Sequence, residues 1–151
     1  MFIKGFDKNL RCRNYQFEIG ETYEIKGEGD LKLCTDTVFH FCKSLAQVHC
    51  FYEVEGDKNR FCEIKVLGEL IEDHEKCGSN KIKVIREIVG EELEVLKGKV
   101  NGNTGLFNTG SCNTGNRNTG DCNTGNRNTG NRNTGSCNTG DCNTGNCNTI
   151  S

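Results

Sequence analysis

From Asn103 onward the tripeptide Asn-Thr-Gly returns every five residues, ten times if the closing Asn148-Thr149-Ile150 is counted. A short period held without a slip is the mark of one structural unit stacked on itself. A disordered low-complexity tail, the other reading of a segment so rich in Gly and Asn, demands no such strict period. The period therefore divides the chain. Its 151 residues leave about 100 for a conventional core. Aliphatic residues nearly vanish after Lys99 to Asn101, so two modules are expected, 1–100 and 101–151.

The formal net charge is −2, and the repeat carries Arg117, Arg127 and Arg132 against Asp121 and Asp141, which leaves the excess of acid in the first module. Neither module is basic enough for charge to indicate nucleic acid. No apolar run is long enough to cross a bilayer, and Met1-Phe2-Ile3-Lys4 does not open a signal peptide. A cytoplasmic protein with no membrane partner is expected. In that compartment the eleven cysteines are expected as thiols rather than disulfides.

In the first module Ile3 to Phe6 reads as a strand, and Tyr15, Phe17 and Ile19 alternate with polar residues before Gly20 turns the chain towards Tyr23 and Ile25, as in a hairpin. Gly27 to Asp30 marks a turn. Val38 to Cys42 is apolar on both faces and is expected as a central strand. Ser44 and Gln47 have capping-box spacing, and Leu45, Val48, His49 and Tyr52 follow a helical period over 44–52. Strands follow at 60–67, continuing through Leu70 and Ile71, and again around Ile82 and Val84. Glu91 to Lys97 makes a second short helix with acids in its first turn and Gly98 at its end. The expected fold is α+β, with a mainly antiparallel sheet and two short helices.

Lys4-Gly5-Phe6, Cys12-Arg13, Tyr15-Gln16-Phe17-Glu18, Phe39-His40-Phe41-Cys42, Arg60-Phe61-Cys62-Glu63 and Ile85-Arg86-Glu87-Ile88 occur in order. Residues 3–96 thereby resemble an uncharacterised family of small phage and prophage proteins. The resemblance implies a phage or prophage origin and no chemistry. Lys4-Gly5-Phe6 and Phe39-His40 are also loosely similar to the first two motifs of ADP-ribosyltransferases, although no catalytic glutamate stands out among Glu63, Glu69 and Glu87.

Three His/Cys pairs invite a metal: His40 with Cys42, His49 with Cys50, and His74 with Cys77. Only the last has knuckle spacing, and structural zinc needs four ligands in facing pairs. Packed thiols are the stronger reading, and no metal or cofactor is expected. A thiol nucleophile at Cys42 or Cys50 lacks both a glycine-flanked elbow and a residue to orient its histidine. No catalytic residue is assigned. The acidic turn of Glu69, Glu72, Asp73 and Glu75 reads as a solvated loop.

Written as Cys112-Asn113-Thr114-Gly115-Asn116, the tract resembles the Asn-x-Gly branch of the pentapeptide-repeat family. The resemblance implies a right-handed quadrilateral β-helix with four repeats to a coil. It also implies that Cys112, Cys122, Cys137, Cys142 and Cys147 point inward and that Thr114 and its equivalents hold the central position. Arg117, Arg127 and Arg132 share the cysteine column, and an inward arginine would strand its charge at a cost of several kcal/mol. No register provides an apolar interior, so ladders of backbone, Asn and Thr hydrogen bonds must hold the tract. Leu106 and Phe107 are expected to plug the first coil. The open end at Asn143, Cys147, Asn148 and Ile150 is expected to pair two copies into a homodimer.

The expected function is that of a non-enzymatic interaction protein inhibiting a host protein, a defence protein being the natural target, with Arg117, Arg127 and Arg132 meeting the partner. The alternative is a nucleotide-using, ADP-ribosyltransferase-like domain with the repeat as an assembly device. A deep pocket beside His40 and Cys42 with a carboxylate in reach would favour it.

Overall fold

The computed structural model describes residues 1–27 and 29–150. The chain forms two compact units, Met1–Val89 and Gly90–Ser151.

Among the described residues of the first unit nine strands run in chain order: β1 (Phe2–Asp7), β2 (Arg11–Cys12), β3 (Tyr15–Gln16), β4 (Thr22–Glu24), β5 (Phe39–Phe41), then, after helix α1 (Leu45–His49), β6 (Asn59–Val66), β7 (Leu70–Glu72), β8 (Cys77–Ser79) and β9 (Lys81–Glu87). They make an antiparallel sheet of order β1-β6-β9-β4, a small one of order β5-β8-β7, and the pair β2-β3. The mainly antiparallel character follows from the alternation: Cys62 and Ile64 of β6 and Ile82 and Val84 of β9 point into the core. Phe17 stands at the centre of that core, its ring centroid 5.0 Å from Phe6, 4.6 Å from Tyr23 and 5.8 Å from Phe39. Aromatic rings at such edge-on and tilted spacings add to what their buried area contributes.

Several local expectations shift. The hairpin lies earlier than expected, at β2-β3, because Tyr23 pairs with Ile82 of β9 and not with the Tyr15 segment. β5 is an edge strand rather than a central one, bonded only to β8 within its sheet. Leu70 and Ile71 leave the β6 ladder and pair with β8. Ser44 caps α1 by accepting from the Gln47 N–H at 3.3 Å, but Gln47 reaches back to the Lys43 N–H, and the helix is shorter than its apolar period. The turn expected at Gly27 to Asp30 includes Glu28, which lies outside the described residues.

The second unit opens with helix α2 (Gly90–Val100). Gly98 lies within it rather than at its end, and its carbonyl accepts from the Asn103 N–H at 2.8 Å. Beyond the helix, Thr104 bridges Thr114 in parallel, Thr109 bridges Thr119, and the step of ten continues to Thr139 and Thr149. Each bridge is a single residue, flanked by bonds such as Thr104 N–H to Asn113 O and Gly115 N–H to Thr104 O. The quadrilateral expectation is corrected here: four repeats to a coil would place each residue beside the one twenty further on. The cause is in the backbone. Every repeat up to Gly145 holds two residues of positive φ, such as Arg117 at 59° and Gly120 at 109°, so the chain reverses within five residues and lies beside itself after ten.

The inward column is corrected too. Asn113, Asn118, Asn123, Asn128, Asn133 and Asn138 are fully buried, while the cysteines, threonines and arginines of the tract are exposed. Asn123 shows how the amide is satisfied: its Nδ2 donates to Gly130 O at 2.8 Å and to Asn113 Oδ1 at 3.0 Å, and its Oδ1 accepts from the Asn133 N–H. Glycine is obligatory after threonine from Gly105 to Gly140, where the next turn stacks on it; a Cβ on Gly125 would come within 1.8 Å of Gly135 O. Phe107 does not plug the coil; it is 52% exposed.

Candidate functional site

The first unit contains a pocket of about 190 Å³ built around β1 and β5. Lys4 of β1 is 3% exposed and belongs to its wall. Its Nζ donates to His40 O at 2.8 Å and towards Cys12 Sγ at 3.5 Å, and it lies over the Phe6 and Phe17 rings at 5.4 and 5.5 Å from their centroids. Among the described residues no carboxylate forms an ion pair with it. Burial lowers its pKa, and the neighbouring Cys12 only partly offsets this. Burial without a counter-charge disfavours the protonated form of this amine, and an anion placed beside it would restore that form.

Cys12 Sγ and the Tyr52 hydroxyl are 3.1 Å apart. Burial first, then the bond to Cys12, pushes the tyrosine well above its usual pKa. Gly5 lets this ring approach, since a Cβ there would meet Tyr52 Cδ2 at 2.5 Å. His40 Nε2 accepts from the Cys34 N–H at 2.8 Å, which leaves the ring proton on Nδ1. Burial, with Arg13 and Lys4 nearby, drives its pKa down to about 4, so the ring is neutral at pH 7. Burial holds the Cys42 thiol up at about 11, which makes it a packed thiol and a poor nucleophile. Arg13 and Lys76 complete the polar part of the wall, and Phe41 and Phe51 its apolar part.

In the second unit the ten-residue step sorts the side chains into columns. Leu106, Phe107, Asn116, Arg117, Asn126 and Arg127 line one groove of about 480 Å³, closed by Ser136 and Cys137. Arg117 lies over the Phe107 ring at 5.8 Å from its centroid. Arg132 belongs to the other column, between Cys122 and Cys142, beside Asp121 and Asp141.

A family profile described as a domain of unknown function, DUF7666, matches residues 1–96. The chain belongs to the DUF7666 family. In this DUF7666 protein, residues 100–131 and 113–149 match pentapeptide repeats (8 copies). No curated protein and no solved structure matches the chain.

The remaining candidates of the DUF7666 protein fall apart in space. His74 is exposed while Cys77 is buried, its Sγ 3.9 Å from Glu72 Oε2, so the knuckle spacing does not become a knuckle. His49 and Cys50 are exposed at the end of α1. Among the described residues no group of three or more His, Cys, Asp or Glu could hold a metal. In the acidic turn Asp73 Oδ1 accepts from the Glu75 and Lys76 N–H groups at 2.8 Å, and Glu72 pairs with Lys43 at 2.8 Å. At the last repeat Cys147 and Ile150 are exposed and Asn148 half-buried, whereas Asn143 points inward. Sequence reading missed Lys4, Arg13, Tyr52 and Lys76 as a group; the only signal was a lysine in an otherwise apolar strand start.

Proposed function

We propose that this DUF7666 protein is a non-enzymatic interaction protein of phage or prophage origin that acts in the host cytoplasm by occupying, and so inhibiting, the surface of a host protein. A defence protein is the target its context favours, by analogy with small accessory proteins that lack catalytic motifs. In this reading the repeat is a continuous narrow coil, two pentapeptides to the turn, and serves as a rigid recognition surface. One observation carries it: the Phe107, Arg117 and Arg127 column is exposed and free of acid. An aromatic ring beside stacked guanidinium groups fits an acidic protein face, where arginine bonds carboxylates in pairs.

The test separates the columns. Host lysate is passed over immobilised wild-type protein, over Arg117→Ser/Arg127→Ser and over Arg132→Ser. The species retained by wild type is lost with the double variant and kept with the single one. Equal retention by all three removes the column from the interface.

The transferase alternative draws support from the pocket beside His40 and Cys42. It lacks the second half of its requirement, since none of the described residues lining that pocket is Asp or Glu.

A further inference from the structure

The first unit holds a feature that the interaction reading does not use. Its pocket combines the buried amine of Lys4, cations at Arg13 and Lys76, and an aromatic wall at Phe41, Phe51 and Tyr52. Arg13 is half exposed and shares Asp36 at 3.0 Å; Lys76 Nζ lies over the Phe51 ring, 5.4 Å from its centroid. Among the described residues neither Lys4 nor Lys76 forms an ion pair. Neutral His40 adds an Nδ1–H donor whose sister nitrogen is fixed by Cys34.

We infer that this pocket binds a small organic anion, a single aromatic ring bearing one negatively charged group. Each half of such a ligand answers one half of the wall. The charged end supplies the counter-charge that Lys4 lacks and takes charge-assisted hydrogen bonds from the rim. The ring lies against Phe51 and Tyr52, where flat apolar surface leaves water. The volume of about 190 Å³ limits the body to roughly one ring, smaller than the drug-sized ligands that fill pockets of about 300 Å³ and more. The site lies wholly within the first unit and is independent of the repeat.

Phenyl phosphate and benzoate are titrated into the 151-residue chain at low ionic strength, by calorimetry and by chemical-shift perturbation, with phenol as the uncharged aromatic control. Saturable binding of at least one anion is expected, with shifts confined to the pocket and phenol at least about tenfold weaker, as the loss of one charge-assisted bond requires. Lys4→Met tests the buried cation, but that substitution can unfold the unit. Arg13→Ala/Lys76→Ala, at the rim, therefore carries the decision and should weaken binding about tenfold. Lys8→Ala/Lys65→Ala removes the same charge elsewhere and should leave it unchanged. Absence of saturable binding, equal binding of phenol, or equal loss in both double variants overturns the assignment.

Discussion

At Asn123 one side chain does the work that an apolar core does in most stacked folds. Its amide group joins three rungs, reaching Asn113, Gly130 and Asn133, and the side chain is fully buried. Asn123→Ala leaves a buried carbonyl and a buried N–H without partners, each worth about 1–3 kcal/mol. We expect a local loss of about 2–4 kcal/mol. It should show as faster amide exchange and protease nicking within the repeat, with the melting of the first unit unchanged; uniform protection would contradict the ladder. The exposed arginines and cysteines meet a different constraint. Their φ of about 55–60° is a conformation that a side chain with a Cβ enters only at a cost of about 1–2 kcal/mol, which the ladder must over-determine.

At the level of elements, the pairing of β6 with β9 carries both registry and charge. Arg60 Nε donates to Glu87 Oε1 at 2.8 Å, and this bond holds the Glu87 carboxyl below its ordinary value of 4.5. A depressed folded-state pKa means stability that is present above the unfolded value and lost as pH falls through the folded one. Acid unfolding should therefore steepen below about pH 4.5. Glu87→Gln should flatten the dependence of the denaturation midpoint on pH; an unchanged profile would remove this pair from the account. Strands such as β6 and β9 were legible because Cys62, Ile64, Ile82 and Val84 alternate with charged residues. Their partners were not: nothing in Tyr23 announces Ile82, since pairing is decided by the global core. The same distance hid the pocket, whose Lys4, Arg13 and Lys76 come from three separated segments. In the repeat the period was legible and the register was not. Arginine and cysteine seldom adopt positive φ, and only that conformation turns them outward and asparagine in.

The whole molecule joins a unit with an aromatic core to one whose described residues bury no apolar side chain. A repeat held by polar ladders gains little from burial, and we propose that a second copy of the chain adds to it. Homodimerisation through Cys147, Asn148 and the 58% exposed Ile150 predicts that the full chain sediments as a dimer and a chain stopped at Val89 as a monomer. The same state for both would end that proposal. Because α2 lies in the same compact unit as the repeat, Val89 is a better place to stop than Val100.

A ten-residue return built from five-residue pieces also gives the tract a parity. Gain or loss of one pentapeptide carries every later residue to the opposite column, which would separate Arg127 from Arg117 and bring Arg132 in line with it instead. Gain or loss of two preserves every alignment. Lineages that keep this face should thus vary in length by even numbers of repeats, and the coding sequence should drift in steps of thirty nucleotides rather than fifteen.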